Sequence, residues 1–138
     1  PSGNSVAAGV MLRLYHITQE KKYRDVSIKV MESLAMTAAE NPFGFGHLLN
    51  VVYAYLKKPL EITVINTKND KIRNFLLKKF IPEAILVLVS RKEDLESLKN
   101  LQFFAGKEYD DLKTKVYVCK DFTCSLPLET MSDIEKLV

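Results

Sequence analysis

Few residues of this 138-residue sequence are suited to chemistry: two cysteines, two histidines and a small polar cluster at the start. Cys119 and Cys124 are separated by four residues and straddle the end of an apolar run, Val116-Tyr117-Val118-Cys119. A dithiol site of the thioredoxin kind uses two intervening residues at a helix N-terminus, where the dipole lowers a thiol pKa. Neither feature is evident here. Two readings stay open: a redox pair, or two structural cysteines, one in a strand and one in a loop, with a bridge between them as an option. Bridges inside cells are unusual outside hyperthermophiles. A zinc site needs four ligands, and only these cysteines with the distant His16 and His47 are on offer. No metal centre and no cofactor are expected.

The opening cluster Ser2, Asn4 and Ser5 has two readings. Short polar side chains accept the orphan N–H groups of a helix start. The same groups, with His47 at another helix start, could line a pocket for a polar, sugar-like ligand. His16, near a helix end, fits the negative end of the helix dipole. Glycoside hydrolysis needs two carboxylates flanking the scissile bond. The first 58 residues hold only Glu20, Asp25, Glu32 and Glu40, in a connection or on the polar side of a helix, so no acid/base pair is expected. The catalytic residues, if there are any, stay unassigned.

Periodicity supplies the elements that must carry these groups. Val6, Val10, Leu14 and Ile17 recur at helical spacing, and the helix stops near Thr18-Gln19. A second helix starts at Lys21 or Lys22, with Tyr23, Val26, Val30, Met31 and Leu34 on one face, and ends before Asn41-Pro42. After the turn Phe43–Gly46 a third runs to Pro59. The pattern then changes. Ile62–Ile65, Ile85–Val89 and Val116–Cys119 read as buried strands. Helical stretches intervene: one capped by Asn69-Asp70 and running to about Phe80, one capped by Ser90, and a closing one from Met131, with Ser132 or Thr130 at its start. Strands alternating with helices imply parallel pairing. The expected fold is α/β: a helical hairpin block over residues 1–58, then a small three-stranded parallel sheet with flanking helices over 59–138.

Composition narrows the function classes. An apolar fraction of 47% suits a packed core. Twenty basic and seventeen acidic residues leave a charge of only +3, with the signs interspersed. No nucleic-acid footprint is expected from that, and Lys68, Lys71, Arg73, Lys78 and Lys79 read as a solvated helix face. No apolar run approaches the ~20 residues of a membrane span. Sparse cysteine and a start without leader character make the cytoplasm the expected location. A phosphate cradle of glycines is missing after the first strand, where Asn66-Thr67-Lys68-Asn69-Asp70 stands.

Three stretches together carry a resemblance: Pro1-Ser2-Gly3-Asn4-Ser5-Val6-Ala7-Ala8, the strand Ile62–Ile65, and Tyr117-Val118-Cys119 followed by Phe122-Thr123-Cys124 and Pro127. In this order the chain resembles the C-terminal end of the thioredoxin-domain-containing proteins related to spermatogenesis-associated protein 20. The resemblance implies a larger parent, with an N-terminal thioredoxin-like domain and an α/α toroid similar to sugar epimerases and six-hairpin glycosidases. Residues 1 to about 58 would then be the last toroid helices. A non-catalytic structural or interaction segment is expected, partnered by the rest of the parent chain or by copies of itself. The alternatives are a part of a carbohydrate-active enzyme and a thiol redox partner through Cys119 and Cys124.

Overall fold

The computed structural model describes every residue except Pro1 and Glu83; the first residue of the opening motif therefore lies outside the described residues. The chain divides into two compact units, Pro1–Lys58 with Leu101–Phe103, and Pro59–Asn100 with Phe104–Val138.

The first unit is built on three helices, α1 (Gly3–Thr18), α2 (Lys21–Glu40) and α3 (Gly46–Lys57). Ser2 caps α1, its hydroxyl accepting from the Ser5 N–H at 3.2 Å. Gln19 ends the helix in the left-handed region, its N–H returning to the Tyr15 carbonyl at 2.7 Å. Pro42–Phe45 forms a 3-10 turn between α2 and α3. The stripe that α1 buries differs from the one its large apolar residues trace. Ser5, Ala8, Leu12 and His16 are buried, whereas Val6 and Val10 are exposed and Leu14 and Ile17 half-buried. The physical reason is close approach. Small side chains let α1 and α2 meet closely enough for the buried Ser27 hydroxyl to donate to the Ala8 carbonyl at 2.9 Å. Gly9 does the same toward α3, where an added Cβ would meet Val51 Cγ2 at 3.3 Å. On α2 the inward line is correspondingly Ser27, Met31 and Ala38, and Val26 is left exposed.

The second unit is α/β, with a four-stranded mixed sheet in the order β2-β1-β3-β4. Its strands are β1 (Leu60–Ile65), β2 (Ile85–Val89), β3 (Lys115–Lys120) and β4 (Thr123–Cys124). β1 and β2 are parallel, joined through α4 (Asp70–Lys78). β3 runs antiparallel to β1, which corrects the expectation of an all-parallel sheet. The reason lies in the connection. α5 (Lys92–Leu98) leads away from the carboxyl end of β2, but residues 99–114 bring the chain back to that end before β3 starts. There the Asn66 side chain donates to the Asp110 carbonyl at 2.7 Å, the Thr114 hydroxyl donates to the Asn66 carbonyl at 2.5 Å, and the Tyr109 hydroxyl donates to the Ser90 carbonyl at 2.9 Å. A strand entered from that end must run against β1. Ser90 does not cap α5 as expected. Its hydroxyl is held by Thr67 at 2.8 Å, tying the ends of β1 and β2, and Arg91 takes the N-cap position.

Alternation along β1 separates two faces. Ile62 and Val64 join Val116 and Val118 of β3 against Ile72 and Leu76 of α4 and Ile134 of α6 (Met131–Leu137). Glu61, Thr63 and Ile65 point to the other face, together with Tyr117 and Cys119.

Candidate functional site

The two cysteines meet. Cys119 on β3 stands directly opposite Cys124 on β4, and they form a disulfide with Cα atoms 3.9 Å apart. The bridge closes a two-residue hairpin turn whose central residues, Asp121 and Phe122, have φ of 51° and 62°. This is the backbone twist that hairpins favour, but it is normally supplied by Asn-Gly; a phenylalanine there sits in a region bulky residues avoid. Lys120 and Thr123 flank the turn, and the Ser125 N–H donates to the Val118 carbonyl at 3.0 Å. Cys119 and Cys124 thus occupy a non-hydrogen-bonded pair position, where opposing side chains approach most closely. Beyond β4 the chain rejoins β3 at Leu128, paired with Val116 in both directions at 2.8 and 2.9 Å.

The two sulfurs have unlike surroundings. Cys119 is buried and Cys124 is exposed. A buried lysine, Lys107, directs its ammonium to Cys124 Sγ at 3.9 Å and lies 5.7 Å from the centre of the Tyr117 ring. Tyr117 is itself fixed, its hydroxyl accepting from the Glu108 N–H at 3.2 Å. Glu61, buried on β1, is the register partner of Cys119. Burial pushes the Lys107 ammonium below its ordinary pKa, and the Glu61 carboxylate works against that shift. The sheet face therefore combines a disulfide, a buried cation and a buried anion. Gly106, at φ 71°, makes the turn that delivers Lys107.

Glu61 and Lys107 were not singled out from the sequence. The signal for Glu61 was one carboxylate inside the apolar strand Leu60–Ile65. Lys107 gave no comparable signal, because only the fold of residues 99–114 turns it inward.

The opening cluster is organised locally. Ser5 is buried, and its hydroxyl donates to the Ser2 carbonyl at 2.9 Å, while Ser2 Oγ and Ser5 Oγ are 3.2 Å apart. Asn4 is exposed. His47 is exposed at the start of α3 and neighbours Gly9, about a turn further along α1 than Ser5. Ser2 and Ser5 are thus brought together as a cap, with His47 beside a later turn of the same helix. Among the described residues no group of three or more His, Cys, Asp or Glu side chains is placed to hold a metal ion.

An open depression of about 500 Å³ lies at the carboxyl end of β1, lined by Lys68, Asn69, Lys113, Thr114, Glu129 and Thr130 among others. Ligands often bind at such strand ends. Here its polar groups already serve the fold. Asn69 caps α4 through the N–H groups of Lys71 and Ile72, Thr130 caps α6, and Lys113 pairs with Glu129 at 2.7 Å.

Comparison with known proteins gives weak but full-length similarity. The chain is 22% identical over 142 residues to spermatogenesis-associated protein 20 of Homo sapiens, covering 100% of this chain and 18% of that protein. The same protein of Rattus norvegicus matches equally, with 22% identity and 18% coverage. An uncharacterized protein of Caenorhabditis elegans is 21% identical over 145 residues, covering 99% of this chain and 19% of its own length. The chain spans less than a fifth of these relatives. No family model and no solved structure matches it.

Proposed function

We propose that this chain is a structural and interaction segment of a longer protein, the C-terminal part of a relative of spermatogenesis-associated protein 20, with no self-contained catalytic site. One observation carries the reading: the helical unit exposes the apolar stripes that its sequence pattern would bury. Val6 and Val10 on α1 are 42% and 48% exposed, and Leu49, Tyr53 and Leu56 on α3 are 41%, 53% and 69% exposed. The spacings of four, and of four and three, make each set a continuous line along its helix. Lines of this kind are what a further helical layer covers. In the parent, the preceding helices of an α/α toroid would be that layer, and the small α/β unit would follow it. The similarity over the whole chain but under a fifth of the relatives supports a longer parent.

In the isolated 138-residue chain the same lines drive self-association. Sedimentation velocity over rising concentration should show reversible oligomers, and Val10→Glu with Tyr53→Glu should shift the chain to monomer without loss of helix. A chain that stays monomeric at high concentration overturns the reading. No described helix is long and apolar enough to cross a membrane.

A sugar-active role for the parent, with Ser2, Asn4, Ser5 and His47 contributing to a pocket, would need groups from outside the 138 residues. Asn4→Ala in the full-length protein, with sugar binding followed by calorimetry, tests that alternative, which unchanged binding removes.

A further inference from the structure

We infer that the Cys119–Cys124 disulfide is a thiol-exchange site for an external dithiol, with Cys124 the sulfur attacked and Lys107 the charged group that serves it. The inference is independent of the interaction reading, since it concerns the sheet and not the helical stripes.

Three observations carry it. The sulfurs differ in access: Cys124 is exposed on a two-residue strand, whereas Cys119 is buried in β3. Of the two residues, Cys124 is thus the one a thiolate from solvent reaches. Second, a cation lies beside that sulfur, with Lys107 Nζ 3.9 Å from Cys124 Sγ. A buried ammonium there attracts an incoming thiolate and stabilises negative charge on that sulfur. Third, the hairpin is held under backbone strain. Asp121 and Phe122 both have positive φ, and Phe122 in particular gives up favourable geometry to keep the turn closed. Cleaving the bridge leaves β4 tied by few backbone bonds, so reduction releases the segment between Asp121 and the Leu128 pairing.

One thiolate of the external dithiol attacks Cys124 Sγ, forming a mixed disulfide and breaking the Cys119–Cys124 bond. The electron pair goes to Cys119 Sγ, which takes up a proton, because burial and the opposing Glu61 carboxylate both disfavour a thiolate there. That proton comes ultimately from solvent, where the attacking thiol released its own. The second thiol of the donor loses its proton to solvent, attacks the donor sulfur of the mixed disulfide, and expels Cys124 beside Lys107 as a thiolate, which then takes up a proton from solvent. The donor leaves as a disulfide, oxidised by two electrons, and the chain holds two thiols.

The test uses the folded 138-residue chain with dithiothreitol and with reduced glutathione. Mass mapping of the glutathione adduct should place it on Cys124. Dithiothreitol should reduce the bridge without unfolding the chain, and Lys107→Met should slow that step about tenfold, with Lys107→Arg restoring most of the rate. The rate against pH should lose one titration in Lys107→Met. In the reduced chain, proteolysis should cut between residues 121 and 127, a site protected in the oxidised form. Adduct on Cys119, or a bridge reduced only when urea unfolds the chain, overturns the inference. So does a Lys107→Met rate and pH profile equal to wild type. If Lys107→Met fails to fold, the glutathione map of the native protein decides alone.

Discussion

At the scale of single residues, the second unit depends on buried polar groups with defined partners. Asn66 is the clearest. It is fully buried, has φ 57°, donates to the Asp110 carbonyl at 2.7 Å and receives the Thr114 hydroxyl on its own carbonyl. Asparagine tolerates the left-handed region better than most residues, and it also supplies the donor. Asn66→Ala should cost about 3 kcal/mol, combining a lost buried hydrogen bond with backbone strain. Asn66→Gly should cost about 1 kcal/mol, since only the hydrogen bond is lost. Urea unfolding distinguishes the two, and equal losses would show that conformation plays no part. Lys107 gives a pH signature. Its pKa in the folded chain lies below the ordinary value of 10.5. Between the folded and unfolded values the unfolded chain holds more protons, so stability rises with pH in that window. Wild type should therefore gain on Lys107→Met as pH climbs toward 10.5. Parallel stability curves for the two proteins would contradict this.

At the scale of elements, the β3–β4 hairpin sets two local costs against one crosslink. A bridge across a separation of five residues removes little chain entropy, about 2 kcal/mol by the loop-closure relation. The turn it closes places Asp121 and Phe122 where each non-glycine residue costs about 1–2 kcal/mol. Replacing Asp121-Phe122 by Asn-Gly should stabilise the reduced chain by about 1 kcal/mol, after allowing for the greater freedom of glycine when unfolded. Thermal unfolding under dithiothreitol measures it, and a lowered midpoint would mean that Phe122 contributes packing worth more than its strain. The direction of β3 belongs to this scale too. Alternation of strands and helices suggested a parallel sheet, but residues 99–114 form a return path long enough to reverse the entry. Short-range periodicity contains no information about where such a segment ends in space.

At the scale of the whole molecule, each of the two units has an apolar core of its own. The α/β unit closes one face of its sheet with α4 and α6, through Ile62, Val64, Ile72, Leu76, Val116, Val118 and Ile134. The helical unit packs Leu12, Met31, Leu48 and Val51 with small residues inside, and leaves Val6, Val10, Tyr53 and Leu56 exposed. Association through those stripes is apolar, so it should persist in high salt and show a negative heat-capacity change. Oligomers that dissociate as salt rises would instead implicate the surface ion pairs. These include Arg73 with Asp70 and Arg91 with Asp94, both at 2.7 Å.

The sequence by itself determined the elements. Hydrophobic period, prolines and caps located α1, α2 and α3, the core of β1, all of β2, and β3, because each depends on residues only a few positions apart. Asn69 and Thr130 could be read as caps for the same reason. The tertiary structure alone decided which helix stripes are buried, which way β3 runs, and what surrounds the cysteines. Those outcomes depend on approach distances at Gly9 and Ser27, and on a loop that carries Lys107 to Cys124 across a gap of seventeen residues in sequence. Cys119 and Cys124 were visible as a pair of thiols. That they face each other across a strained turn, one sulfur open and one closed, is a property of strand register, which no spacing along the chain encodes.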